Sequence, residues 1–569
     1  MKRMNKRIGK TLTMAALAVS LAGFGWKEGP GIPPETAFAA SEEGLFYGII
    51  LDISESSVVL ENAVRDGDVL TTDGSSTVYA IGEDCAVRRA GEEEGELGTE
   101  DLAAGDIVCI RLNYAKEAGV IELYGSDSLT VQSAKETESQ EESETEQQTE
   151  TVTLQGAYIA DGIQESRESA SFEGSGEDES AVLAVNGAFV TLKNAVIQKS
   201  GGTSSLAQSL LYGLNAAVNA SGSSSLSLEG AEIASDGEGA AALFATGERS
   251  SVMISDSELQ TSENDAPGVS VSRSGSAVLA DTNVSTSGDG SGALCSLTEY
   301  AVLTAQGGSL KTLGSHSPLL LAEGSLTAEQ VNGDAANSPI LTLYSRLAGE
   351  ISLSDCSFTG EGECGVLIQG FNADSETQTE TESGQEGTAG NNTQAQLSVL
   401  GGTLSLNSDG PMILAQGARA LVRLEEAEIT GTSNTLLRAE SLGDENGANT
   451  GANVTVEAAR QELAGDIVCD SGSTAQLSLE LGSRYEGAVD SAGQGAVSVS
   501  LSEDSTWIVT GDSYVQGFSD EDADLSNIQD QGYTIYYDAL AEECQWLGGE
   551  TLELSQGGVL TPAVQEQTP

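Results

Sequence analysis

One eight-residue pattern, repeated from residue 152 onward, constrains this chain more than anything else in it. The pattern is apolar, variable, apolar, variable, turn, small, variable, apolar. It reads Val152-Thr153-Leu154-Gln155-Gly156-Ala157-Tyr158-Ile159 and returns as Val190-Thr191-Leu192-Lys193-Asn194-Ala195-Val196-Ile197 and as Leu226-Ser227-Leu228-Glu229-Gly230-Ala231-Glu232-Ile233. Unit starts fall at 152, 190, 226, 252, 277, 303, 326, 351, 397, 422, 454 and 477, a base period near 25 residues. The longer intervals hold insertions at 166–180, 201–211, 372–394 and 443–451.

Two apolar residues two apart share one face of a strand. The turn slot is Gly, Asn or Asp in eight of the twelve units, residues that tolerate a left-handed backbone and let the chain bend into a new strand. A second apolar run follows, as in Ala242-Leu243-Phe244, Pro318-Leu319-Leu320-Leu321 and Met412-Ile413-Leu414. One period cannot cover its own apolar side, so periods must stack. The expected fold is therefore all-β. A right-handed parallel β-helix of about twelve coils spans 152–504, roughly 60 Å long at the spacing of paired strands. A leucine-rich repeat has a similar period, but its L-x-x-L-x-L-x-x-N ladder is missing and abundant Gly and Ser oppose helical connectors.

The rest of the chain divides by composition. Residues 1–40 read as a signal peptide: Lys2, Arg3, Lys6, Arg7 and Lys10 precede an apolar stretch from Thr11 to Gly25, and Ala37-Phe38-Ala39 offers a cleavage site. A retained signal anchor is the alternative, since Trp26 to Thr36 makes a long spacer. No segment after it is apolar enough to span a bilayer. Residues 41–125 contain five short β-branched runs between Gly, Asp and Asn turns, which predicts a small β-barrel domain. Residues 126–151 form an acidic linker, with only Glu, Gln, Ser and Thr from Glu136 to Glu150. Residues 505–569 carry Trp507, Trp546 and a Tyr533, Tyr536, Tyr537 cluster, and should cap the open end of the stack.

Charge narrows the partners. The chain has 24 Lys and Arg against 88 Asp and Glu. Without residues 1–40 the balance is 18 against 86, a net charge of −68. Such a body repels nucleic acid and anionic polysaccharide at long range. Basic surface proteins and weakly bound calcium remain compatible with it. Seven cysteines at irregular spacings, with no CxxC, read as small buried thiols rather than a disulfide framework, with Cys85–Cys109 and Cys356–Cys364 left as open pairings.

Two resemblances follow from these residues. Thr506-Trp507-Ile508-Val509-Thr510-Gly511-Asp512-Ser513-Tyr514-Val515, Gly532-Tyr533-Thr534-Ile535-Tyr536-Tyr537-Asp538 and Gly557-Gly558-Val559-Leu560 resemble the terminal segment of adhesin-like β-helix proteins exported by bacteria. That implies a secreted or cell-surface, extracellular protein, of a kind sometimes grouped with carbohydrate-binding ones. The repeats resemble the pectate-lyase-like superfold, which implies a polysaccharide lyase or glycoside hydrolase as the alternative function. The residues of such enzymes are hard to find here. There is no Asn-Thr-Asp or Asp-Asp cluster, and the one histidine sits alone in Gly314-Ser315-His316-Ser317. Asp520 to Asp524 begins like a calcium loop, but Leu525 and Gln531 stand where it needs Gly and Glu. No catalytic, metal or cofactor residue is assigned.

The slot between the two apolar residues is Ser or Thr in nine of the twelve units, among them Thr153, Thr191, Ser227, Thr304, Ser352 and Ser398. Strand propensity on a solvated face explains much of this. The functional reading is a hydroxyl ladder facing cell-wall or host glycans, on a secreted, non-catalytic scaffold with a structural or adhesive role.

Overall fold

The structure, a computed structural model, describes residues 152–370, 393–443 and 449–563. It also describes residues 45–53, 57–66, 69–89, 107–112, 118–124 and 130–133, with Gly98, Thr99, Leu102 and Asp106 between them. The expected signal peptide, the Glu-rich stretch 136–150 and nearly all of the insertion 372–394 lie outside the described residues. The chain divides into two compact units, Met1–Thr149 and Glu150–Pro569.

In the first unit, six strands form a mixed sheet: β1 (Leu45–Ile53), β2 (Ser57–Asp66), β3 (Val69–Arg89), β4 (Ile107–Leu112), β5 (Ala118–Tyr124) and β6 (Thr130–Ser133). Their order is β2-β1-β4-β5-β3-β6, and a further β2–β3 pairing closes the first five into a ring. Ile50, Val58, Leu60, Val87, Val108, Ile110 and Ile121 fill it. All five apolar runs of the sequence lie in these strands. The sixth strand falls inside 126–151, which was expected as linker; Val69–Thr72 pairs with it in parallel.

The second unit is a parallel β-solenoid of about fifteen turns. A representative turn runs through Glu179–Val185, Phe189–Lys193 and Val196–Ser200. Stacking such turns builds three parallel faces, here called first, second and third in chain order, of twelve, fourteen and ten strands. The repeated unit is the second-face strand and the turn after it. Its first apolar residue stacks in one column, Val190, Leu226, Val252, Ala277, Leu303, Leu326, Ile351, Leu397 and Val422. The column continues through Val456, Leu477 and Val499. Ten of the twelve expected unit starts therefore fall in register. Val454 is two residues early, because Val454, Val456 and Ala458 all alternate inward and any two of them satisfy the pattern.

The other exception is the first unit. Gln155–Asp161 is a first-face strand, paired with Glu179–Val185, and Val152 to Leu154 precede it. The true second-face strand of that turn is Gln164–Glu168, which sets Glu165 beside Val190 and Arg167 beside Leu192. Two polar residues thus occupy the apolar slots of the opening turn. Arg167 Nε donates to Glu165 at 2.7 Å, the guanidinium lies 4.4 Å from the Tyr158 ring centre, and Tyr158 also bonds Glu165. The opening turn is that of the expected first unit; Ala496–Leu501 and Gly517–Asp520 at the other end are second-face strands beyond the twelve expected.

The corner after each second-face strand is left-handed. Ser169, Asn194, Asp256, Asp281, Gln330, Asp355, Glu426, Arg460 and Leu481 have φ between 45° and 54°, and Gly230, Gly307 and Gly401 share the position with φ of 65–68°. The glycines are not interchangeable with the rest. A Cβ on Gly307 would lie 2.4 Å from Asp281 Oδ1, and one on Gly401 2.5 Å from Asp355 Oδ1. At these two corners the carboxylate of one turn leans over the next, so a side chain on the glycine would have to push it aside.

Inside the third-face corner runs a hydroxyl column. Ser235, Thr261 and Thr286 each donate to a carbonyl five residues on, those of Ala240, Ala266 and Ser291. Lys199 heads this column, pairing in register with Ser235, and is buried. Its ammonium donates to the carbonyls of Gly176, Ser200 and Gly201, which offset much of its desolvation. Burial still lowers its pKa.

Parallel stacking continues past residue 504. Thr506–Ile508 pairs with Arg484–Glu486, and Thr534–Tyr537 with Ser513–Val515 and Val559–Pro562. The solenoid therefore extends into the segment expected as a cap. Closure comes from a 3-10 helix, Glu542–Leu547, and from the antiparallel pairing of Leu552–Glu553 with Val559–Pro562. Tyr485, Trp507 and Phe518 stack inside this end at 6.4 Å between ring centres, and Trp546 of the 3-10 helix lies 6.1 Å beyond Phe518.

Candidate functional site

The outer side of the second face carries the expected hydroxyl column, because a residue between two inward neighbours points outward. The register gives its members as Ser166, Thr191, Ser227, Met253, Val278, Thr304, Thr327, Ser352 and Ser398. It ends with Arg423, Glu457, Ser478, Ser500 and Ser519. Thr191, Ser227, Thr304, Ser352 and Ser398 thus stand in one line. Thr153 does not join it; it precedes the first strand, and Ser166 fills that place.

The column is segmented. Met253 and Val278, 41% and 45% exposed, break it once, and the Arg423–Glu457 ion pair at 2.9 Å breaks it again. Between the breaks Thr304, Thr327, Ser352 and Ser398 follow one another on successive turns, about 4.8 Å apart. Among the described residues, none of these four hydroxyls is bonded to another side chain. Past the second break, Ser519 donates to Ser500 at 3.0 Å.

At this far end the face forms a shallow groove, lined by Gln476, Ser498, Val499, Ser500, Gly517, Phe518, Ser519 and Glu543. Gly517 creates it. Gly517 pairs with Ser498 on the last second-face strand, and a Cβ there would lie 2.6 Å from Ser498 Oγ and 3.5 Å from Glu543 Cβ.

The first face presents a different cluster that the sequence reading missed. The excursion after Ser200 carries a helix, α1 (Leu206–Tyr212), whose N-terminus is capped by Ser205 and which ends at left-handed Gly213. The helix lies over the outer side of the first face. Thr246 and Ser272 donate to the carbonyl of Leu211, and Asn219 to those of Tyr212 and Gly213. Outward-pointing Asn219, Phe244 and Ser270 are buried as a result. Further along the same outer side lie Cys295, Glu323, Tyr344 and Arg346. Burial pushes the Cys295 thiol up to about 12, and raises Tyr344 with help from the neighbouring Glu323 and Cys295. Burial also lifts Glu323 to about 7, against the opposing pull of Arg346. A periodicity search could not find this group, since its members come from three turns and from slots that vary freely.

Within Asp520 to Asp524, two carboxylates are used on their own loop. Asp520 accepts from Asp522 N and Asn527, and Asp522 from Asp524 N and Ser526. Among the described residues, no cluster of His, Cys, Asp and Glu is arranged to hold a metal ion, and no helix is long and apolar enough to cross a membrane. All seven cysteines are free thiols, six of them buried. Comparison of the chain with family models, with curated proteins and with solved structures finds no match.

Proposed function

We propose that this is an exported, extracellular scaffold that binds glycans on the outer second face of its solenoid without cleaving them. The observation that carries this reading is the run Thr304, Thr327, Ser352, Ser398: four unshared hydroxyls at strand spacing on the outer side of the second face, Thr327 exposed and the others half-buried. A column of that kind suits an extended polymer of hydroxyl-bearing units, which can exchange hydrogen bonds with several turns at once. The terminal motifs that resemble adhesin-like proteins agree with display outside the cell, as does the basic and apolar N-terminus. With 88 acidic residues against 24 basic ones, neutral glycans fit the face better than uronates.

The test is a glycan array on the purified protein, with and without calcium, repeated with Thr304, Thr327, Ser352 and Ser398 all changed to Ala. Binding of neutral glycans that the fourfold variant loses supports the reading. Binding unaffected by the variant, or no binding at all, refutes it. The lyase or hydrolase alternative is separated by assaying unsaturated products and reducing ends on pectate, alginate and neutral glucans; sustained turnover would make the protein an enzyme.

A further inference from the structure

We infer that the second face around Val278 docks on the surface of an ordered neutral polysaccharide built of flat β-1,4-linked ribbons. Met253, Val278 and Val302 would meet the C–H faces of its sugar rings, and Thr304 and Thr327 would continue the contact through hydroxyls. This rests on the glycan-binding reading above and gives it a ligand class and a physical form.

Five consecutive second-face strands make this patch: Ser225–Glu229, Ser251–Ser255, Ser276–Ala280, Val302–Gln306 and Ser325–Glu329. They pair in parallel without a bulge, so their first, third and fifth residues form three straight outward columns. On the middle three strands no outward residue is charged. On all five only Glu229 and Glu329 are, and both stand in the same edge column. In a chain with 88 acidic residues this gap is a local property of the patch. Met253, Val278 and Val302 are 41%, 45% and 45% exposed. Val278 lies one strand, about 4.8 Å, from Met253 on one side and from Thr304 on the other. Val302 precedes Thr304 by two residues on its strand and sits on the diagonal from Val278. All five side chains named for the contact therefore point to one side. Exposed apolar residues gathered in this way mark a binding surface, whereas single ones scattered over a protein do not.

Charge and area select the occupant. A second copy would also carry a net charge of −64 and would approach against long-range repulsion. The patch, five strands long and about 13 Å across its three columns, covers roughly 300 Å², well below the approximately 800 Å² per partner of a stable interface. A neutral polysaccharide meets no such repulsion, and it repeats its contacts along the column from Thr304 to Ser398. The columns follow the solenoid axis, and two strand steps, about 9.6 Å, are close to the two-sugar repeat of a β-1,4-linked ribbon. Successive repeats of such a ribbon thus meet equivalent slots. Three columns side by side are wider than one ribbon, so neighbouring chains of an ordered layer share the contact. A coiled α-linked glucan offers neither the repeat nor the plane.

Depletion of the whole protein from solution by microcrystalline cellulose and by chitin tests the inference, with granular starch and cross-linked pectate as the coiled and acidic controls. Cellulose or chitin should remove the protein, and neither control should. Val278→Asp and Val302→Asp each set a carboxylate in the patch and should weaken binding about tenfold or more. Val278→Ile keeps the apolar contact and should stay within about threefold of the unaltered protein. Ser285→Asp adds the same charge on the outer side of the third face and should bind like the unaltered protein. All four positions point outward, so thermal midpoints, expected to be unchanged, separate lost binding from lost fold. No binding to either solid, equal binding to starch, or full binding by the Val278 and Val302 Asp variants overturns the inference. If the fourfold hydroxyl variant nonetheless loses neutral glycans on the array, the glycan-binding face stands without it. A concentration-dependent dimer that Val278→Asp breaks would make a second copy the occupant and overturn the inference as well. If neither the solids nor the array bind the unaltered protein, both readings fall.

Discussion

Gly307→Ala probes the left-handed corner column most sharply. The backbone there has φ +68°, a conformation that disfavours alanine by about 1–2 kcal/mol. The new Cβ also lands 2.4 Å from Asp281 Oδ1, and turning that carboxylate away from its rotamer costs about 0.5–1.5 kcal/mol. Against these, alanine narrows the unfolded ensemble and returns about 0.4–1 kcal/mol. The net destabilisation should be about 0.5–3 kcal/mol, combining these three terms. In an Asp281→Gly background the obstructing carboxylate is gone, so the same substitution should cost about 0.5–1.5 kcal/mol less. Guanidinium unfolding of the four proteins, followed by far-UV circular dichroism, closes the cycle. An equal penalty in both backgrounds would show that Asp281 does not lean over Gly307. A stabilised single variant would show that the corner is not left-handed.

Three other outcomes follow from the same geometry. Ile254→Asp puts a charge between Leu228 and Leu279 in the core and should lower stability by about 3–5 kcal/mol, whereas outward Ser255→Asp should be nearly silent; equal melting temperatures would contradict the register. Deleting residues 372–393 should keep the fold and the melting temperature. The next turn steps from Gln416 to Ala420 in four residues, and joining Phe371 to Gln394 restores that step between their partners Gln369 and Ala395; a large fall in melting temperature would contradict this. Glu323 is raised to about 7, so the uncharged carboxyl is the favoured folded form, and its contribution is complete below the unfolded value near 4.5 and lost as pH rises through 7. Glu323→Gln should therefore gain about 2–3 kcal/mol on the unaltered protein between pH 5 and pH 8, read as diverging melting temperatures, and a constant difference would refute the shift.

The fold was legible because its rule is periodic. A strand buried on one side and followed by a left-handed corner leaves the same signature at every turn, and ten of twelve unit starts lie in one physical column. Errors arose where the rule has no unique solution or is suspended. At Val454 the alternation extends over three inward residues, Val454, Val456 and Ala458, so spacing alone could not choose the register. At the opening turn Glu165 and Arg167 replace the apolar pair, and Val152-Thr153-Leu154 imitates it nearby. The corners at Gln330, Glu426, Arg460 and Leu481 are left-handed although none is Gly, Asn or Asp, because the stacked neighbours impose the bend. The groove was hidden for another reason. It depends on the absence of a side chain at Gly517 and on a short helix that returns from 26 residues downstream, and neither leaves a repeat.

The ion pair at the opening turn has a consequence for how large such a particle can grow. A stack of identical layers has no inherent length: any layer that exposes an apolar core and a row of unpaired amides invites another copy to dock, and the result is a fibre. Glu165 and Arg167 remove half of that invitation. A newcomer would have to lay leucine and valine over a carboxylate and a guanidinium already bound to each other and to Tyr158. At the other end the 3-10 helix and the antiparallel pair turn the last hydrogen-bonding row back on its own chain. A protein built on the geometry of a polymer thus has two ends unlike its middle, at the sites where its sequence stops obeying its own repeat.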